Sequence, residues 1–139
     1  MKKNEPVRTI MTSSPVVVQL GSKLSEVREI LDNNAFHHVP VVDGDKLVGM
    51  ISHQDILRVA LGDPGKMDKR ELDTMLDYSL DIESVMTADL QTIQPETTVR
   101  EAASVFAEAR FHSLPVLDDD KLVGIVTSTD IVRYFLSQY

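Results

Sequence analysis

The sequence predicts an α/β fold made of two pseudo-symmetric β-α-β-β-α repeats packed as one module. Three observations predict it: a gapless internal repeat, apolar spacing that switches between strand and helix periods within each copy, and a core composition poor in rings. Hydrophobic residues make up 42% of the 139-residue chain but aromatic residues only 5%, with no Trp. A core of Val, Ile, Leu and Ala favours strands alternating with helices, and the length suits one compact unit.

The repeat runs at an offset of 75, the distance from Met11 to Met86, so that residues 7–61 recur as 82–136. Its clearest stretch sets Phe36-His37-His38-Val39-Pro40-Val41-Val42-Asp43 against Phe111-His112-Ser113-Leu114-Pro115-Val116-Leu117-Asp118. It continues into Lys46-Leu47-Val48-Gly49 and Lys121-Leu122-Val123-Gly124. The chain divides into copy one (1–61), a linker (62–81) and copy two (82–139). Each copy has only about 55 residues, a size at which a lone core is marginal, so the copies are expected to bury apolar faces on each other. That symmetry implies two equivalent clefts between them.

Within a copy, Val16-Val17-Val18 or Thr92-Ile93 predicts a first strand. Leu24, Val27, Ile30 and Leu31, or Val99, Ala102, Ala103 and Phe106, form an apolar stripe at helical spacing. Thr98 and Glu101 predict a capping box, where copy one has Lys23 in the Thr position. A hairpin then turns at Asp43-Gly44-Asp45, with Asp119 replacing the glycine in copy two. The last helices start near Ser52 and Thr127 and present Ile56, Leu57, Ala60 and Leu61, or Ile131, Val132, Phe135 and Leu136. Gly62-Asp63-Pro64-Gly65 stops a helix, and Met67, Leu72, Met75 and Leu76 predict a short linker helix within the charged stretch 66–81.

Composition narrows the function. The absence of Cys excludes disulfides and thiolate metal ligands. Lys2 and Lys3 lead into Asn4, Glu5 and Pro6 rather than an apolar stretch, and no apolar run approaches membrane-spanning length, so a soluble cytoplasmic protein with no membrane partner is expected. Fourteen basic against twenty-two acidic residues give a net charge of -8, which repels a nucleic-acid backbone. A small anion remains compatible, because local donors dominate at short range.

Two constellations carry possible chemistry. In Gly49-Met50-Ile51-Ser52-His53-Gln54-Asp55 and Gly124-Ile125-Val126-Thr127-Ser128-Thr129-Asp130, a strand delivers a hydroxyl and then an acid into a helix start. One reading is an N-terminal cap, with the acid at the positive end of the helix dipole. The other is a ligand site, in which hydroxyl and backbone N–H groups face a phosphate while Asp55 or Asp130 accepts from ribose hydroxyls. Recurrence in both copies puts the two readings on an equal footing. The second constellation, His37-His38 and His112 before Pro40 and Pro115, reads first as packed histidines. No metal-binding spacing, nucleophile elbow or P-loop accompanies them, so no catalytic or metal-ligating residue is assigned. Met11-Thr12 and Met86-Thr87 read as core filling followed by a turn, and Lys46, Lys121, Arg58 and Arg133 as solvated faces.

Taken in order, Met-Thr, first strand, capped helix, His-x-(Val/Leu)-Pro-Val, hairpin, Gly-x-x-(Ser/Thr)-x-x-Asp and final helix resemble the cystathionine beta-synthase (CBS) domain, twice over nearly the whole chain. The resemblance implies a non-enzymatic regulatory module that binds AMP, ADP, ATP or S-adenosylmethionine, requires no cofactor, and forms a homodimer, acting on a separate effector protein or through its own oligomer. It implies that Asp55 and Asp130 hold ribose, and that Ser52, Thr127, His37, His38 and His112 face phosphate. Adenine would lie against Val17, Val18, Val39 and Pro40, or Thr92, Ile93, Leu114 and Pro115. Ser113 departs from the basic preference at its position, which implies weaker phosphate binding or an uncharged adenosyl tail in copy two. The alternatives are a ligand-free dimerisation module and a metal-assisted hydrolase.

Overall fold

The computed structural model describes residues 4–59 and 68–139. The Lys2-Lys3 pair, Ala60, Leu61, the Gly62–Gly65 helix stop, and the linker positions Lys66 and Met67 lie outside the described residues. Among the described residues the first element is a 3-10 turn, Val7–Thr9, followed by β1 (Thr12–Ser13), β2 (Val18–Gln19), α1 (Leu24–Asp32), β3 (His38–Asp43), β4 (Lys46–Ser52) and α2 (His53–Val59). Then come α3 (Lys69–Ser79), α4 (Ile82–Val85), α5 (Val99–Glu108), β5 (Ser113–Asp118), β6 (Lys121–Thr127) and α6 (Ser128–Ser137).

Two compact units form, and they do not follow the sequence repeats. One is Val16–Leu90; the other joins Met1–Pro15 to Gln91–Tyr139. The opening segment of each copy therefore belongs with the hairpin of the other copy.

In the Val16–Leu90 unit, β2 runs parallel to β3 with Val18 opposite Val41, and β3 pairs antiparallel with β4, Val39 opposite Ile51. Thr87 and Met50 exchange two backbone bonds of 2.9 Å, which ties the start of copy two to the hairpin of copy one. Val18, Leu24, Val27, Val39, Val41, Ile51, Ile56, Leu76 and Ile82 form the core. In the other unit β5 pairs with β6, and β1 adds antiparallel to β6 with Thr12 opposite Ile125. Val7, Ile93, Val99, Ala102, Leu114, Val116, Val126 and Ile131 form its core, with Met11 packed against it.

The predicted helices, hairpins and turns appear where the periodicity places them. Gly44 occupies the left-handed region (φ 68°), and Asp119 follows it there (φ 55°), a conformation that a short polar side chain tolerates better than most. The first strands are shorter than predicted. Val16 and Val17 lie outside β2, and Ile93 makes only a bridge to Val116. Pro15 and Pro95 flank these segments, and each removes a backbone donor and restricts its predecessor. At Thr98 the hydroxyl half of the cap is present, its Oγ1 accepting from Glu101 N (3.1 Å).

The linker (62–81) holds one helix, α3, as expected, and α4 follows it at the start of copy two. Asp68 and Asp81 cap α3 and α4 by accepting from Glu71 N and Ser84 N, each at 2.8 Å. Leu76 of α3 is fully enclosed in the Val16–Leu90 core. A polar clamp reinforces it: Arg28 of α1 donates to Asp73 through Nε (2.5 Å) and Nη2 (3.0 Å), and to Asp32 through Nη1 (2.6 Å). The hydrogen bonds to Asp73 hold the guanidinium above its ordinary pKa, against the opposing effect of burial. Asp77 adds to the clamp by accepting from Ser25 N and Oγ at 3.0 and 2.7 Å.

Arg28→Ala is expected to destabilise the protein by about 2 kcal/mol. This is less than for a fully buried pair, because both aspartates stay partly solvated and relax into water. Asp77→Ala should cost about 1 kcal/mol or less. Urea unfolding of the two variants checks the ranking.

Candidate functional site

Each hairpin ends by delivering its last strand residue into a helix, and the same local geometry arises in both copies. In copy one, Ser52 N donates to Asp55 Oδ2 (2.8 Å) and Asp55 N donates back to Ser52 Oγ (3.1 Å). In copy two, Thr127 N donates to Asp130 Oδ2 (2.8 Å) and Asp130 N to Thr127 Oγ1 (3.1 Å), a reciprocal capping box. The cap reading is thus realised in both copies. It does not exhaust the groups. Each hydroxyl accepts one bond and keeps its own proton to donate; each carboxylate uses Oδ2 for the cap, which leaves Oδ1 of Asp130 outside it and Oδ1 of Asp55 facing Arg58 at 3.3 Å.

The hairpins bring the candidate histidines to the same end. His38 lies opposite Ser52 across β3 and β4, while the His37 carbonyl accepts from His53 N at 3.0 Å. Ser113 lies opposite Thr127, and the His112 carbonyl accepts from Ser128 N at 2.9 Å. His37 and His112 are exposed, and Ser52, His38 and Thr127 half-buried. The structure therefore groups Ser52, Asp55, His37 and His38 in one copy and Thr127, Asp130 and His112 in the other.

The remaining candidates divide by burial. Val39 and Leu114 are wholly enclosed, and Val18, Pro40, Ile93 and Pro115 are buried, so these six are core residues as placed. Val17 is half-buried and Thr92 exposed. Both first-strand segments pair beside the hairpin strand that carries the Pro: Leu20 N donates to Val42 O (2.9 Å), and Ile93 N to Pro115 O (3.0 Å).

The two copies differ at the acid. Asp55 is buried at 7% exposure, and its Oδ1 stands 3.3 Å from Arg58 Nη2. Asp130 is half-buried, and among the described residues it has no ion pair. Arg58 is solvated, as expected from the sequence, and makes this contact as well; the i,i+3 spacing of Asp55 and Arg58 is the signal that could have found it. The Met-Thr pairs also do more than fill gaps. Met86 packs over Gly49 and Met11 over Gly124, where an added Cβ would strike the thioether.

Among the described residues, no group of three or more His, Asp or Glu is placed to hold a metal ion, and no helix is long and apolar enough to cross a membrane.

Comparison with known proteins agrees with this geometry. The model of the CBS domain matches residues 7–62 and 82–137. The uncharacterized protein MJ1225 of Methanocaldococcus jannaschii is 28% identical over 137 residues, which span 98% of this chain and 45% of that protein. The chain spans less than half the length of the curated relatives it first matches. The Arabidopsis thaliana CBS-pair protein CBSX2, solved in complex with AMP, superposes with a TM-score of 0.79 at 27% identity, covering 96% of this chain and 98% of that one. The CBS domain pair of protein MJ0100, solved with 5'-methylthioadenosine and S-adenosyl-L-methionine, gives a TM-score of 0.74 at 28% identity, with 96% and 98% covered. With two matched repeats spanning most of its length and the hydroxyl-acid pairing present in both, the chain belongs to the CBS domain family.

Proposed function

We propose that this chain is a regulatory module that binds an adenosine-containing ligand: AMP, ADP, ATP or S-adenosylmethionine. The observation that carries the reading is the hydroxyl-acid pairing built identically in both copies, with a hydroxyl proton left over each time and one carboxylate oxygen outside the cap, which in copy one faces Arg58. Related CBS pairs solved with AMP, and with methylthioadenosine and S-adenosylmethionine, support the ligand class.

In this reading Asp55 and Asp130 accept from the vicinal ribose hydroxyls. Ser52 and Thr127 donate toward phosphate, joined by His37, His38 and His112. Val17 and Thr92 retain surface for the adenine, while Val18, Val39, Pro40, Ile93, Leu114 and Pro115 support it mainly by fixing the backbone around it. The module catalyses nothing itself; as a homodimer in the cytoplasm, it transmits occupancy to a separate effector by population shift.

Calorimetric titration of nucleotide-stripped protein with AMP, ATP, S-adenosylmethionine and GTP tests this. The expected result is micromolar binding of at least one adenosyl compound and none of GTP. Absence of heat with all four would overturn the reading in favour of a ligand-free dimerisation module.

A further inference from the structure

We infer that Arg58 makes the Asp55 site selective for anionic ligands, whereas the Asp130 site admits neutral adenosyl compounds; this rests on the adenosyl-binding reading. The two acids stand in matching positions with a matching arginine three residues on, Arg58 and Arg133. Their surroundings differ. Asp55 is 7% exposed, its Oδ2 is taken by Ser52 N at 2.8 Å, and its Oδ1 faces Arg58 Nη2 at 3.3 Å. Both carboxylate oxygens are thus engaged. Asp130 uses Oδ2 for Thr127 N and has no ion pair among the described residues.

A diol that binds Asp55 competes with the guanidinium for Oδ1. A neutral nucleoside offers that guanidinium nothing in return, and the buried carboxylate loses its counterion. A phosphate offers a replacement counterion suited to the planar fork of arginine. The Arg58 side chain is 73% exposed, so it is free to swing from one partner to the other. The same end of copy one carries His37 and His38, both able to donate to phosphate, where copy two carries His112 and Ser113. Charge selectivity therefore has a switchable element, Arg58, and a supporting set of donors on the same side.

The test is binding stoichiometry on the full chain, using adenosine and AMP as probes. Wild-type protein should bind adenosine at one site and AMP at two. Arg58→Gln should bind adenosine at two sites while weakening the second AMP site roughly tenfold. Asp130→Asn should weaken adenosine binding, and AMP binding at one of its two sites, by roughly 10- to 150-fold. Adenosine filling two sites in wild type, AMP filling only one, or an Arg58→Gln protein that still takes a single adenosine would each overturn the inference with adenosyl binding intact. Binding of neither probe would instead remove the reading on which it rests. Arg58 is surface-exposed, so unchanged circular dichroism of the variant is expected and confirms that lost or gained sites are not unfolding.

Discussion

Replacement of Asp130 by Asn is expected to weaken adenosine-nucleotide binding at that site by roughly 10- to 150-fold, equivalent to about 1.5–3 kcal/mol, with little loss of stability. The asymmetry between the two effects follows from how the carboxylate is used. Oδ2 accepts from Thr127 N, and an Asn side-chain oxygen in the same place continues to accept that bond. Asp130 N still donates to Thr127 Oγ1, so the helix start survives, and the stability change should stay below about 1 kcal/mol. The second oxygen is the one assigned to ribose. In Asn it becomes an NH₂ donor, which cannot accept from a hydroxyl, and the negative charge is lost as well. Calorimetry for affinity and urea unfolding for stability separate the two quantities. Equal binding of adenosine and its 2',3'-dideoxy analogue by the wild-type protein would show that the diol is not what Asp130 holds.

Gly124→Val should destabilise the protein by about 3 kcal/mol, and Gly124→Ala by about 1–3 kcal/mol, for a reason that lies across the chain. A Cβ at Gly124 would sit 2.5 Å from Met11 Sδ and 3.0 Å from the Thr12 carbonyl oxygen. The Met side chain can rotate away. The carbonyl cannot, because Thr12 and Ser13 are held in register against Ile125 and Gly124 as β1. The Met11→Ala/Gly124→Ala double variant should therefore recover only part of the loss, and a double-mutant cycle by chemical denaturation measures that part. Gly49 faces Met86 and the Thr87 carbonyl, at 3.1 Å, in the same way, so its substitution should behave alike. Full additivity of Met11→Ala and Gly124→Ala would rule out this contact as the cause.

Both predictions concern residues that the repeat makes visible, and the repeat explains how much of the protein can be read without coordinates. Apolar spacing is local information. The stripe of Leu24, Val27 and Leu31 specifies which side of α1 is buried whatever it packs against, and these three residues are indeed in the core. Turn chemistry is equally local, which is why Asp43-Gly44-Asp45 places its turn correctly. The hydroxyl-acid spacing of Ser52 and Asp55, or Thr127 and Asp130, is a short-range motif and forms as expected. The strand estimate fails at Val16-Val17 and Thr92 because pairing depends on a partner, and flanking prolines limit how many ladder bonds each segment can make.

The linker shows the same limit. Its composition announces charge and some helical periodicity, but the bidentate grip of Arg28 on Asp73 joins residues 45 apart, and neither looks unusual in sequence. Arg28 reads as one more surface cation on a charged helix. It is buried because α3 folds back over α1, bringing carboxylates close enough to replace its water. In the same way, Arg58 and Arg133 are indistinguishable on paper, and only the fold places one of them beside a buried acid.

The sequence by itself determined the repeat, the element types, the capped helix starts and the residues of the candidate site, because each is written in spacings of a few residues. Tertiary structure decided which segment completes which core. Met11 and Thr12 open copy one yet close the hairpin of copy two, and Met86 and Thr87 do the converse. An unpaired strand edge needs backbone partners and a glycine gap needs a filler, and either copy's Met-Thr segment satisfies both in chemical terms. Both copies carry the same Met-Thr pair and the same glycine, so the local sequence does not encode that choice; the path of the whole chain does.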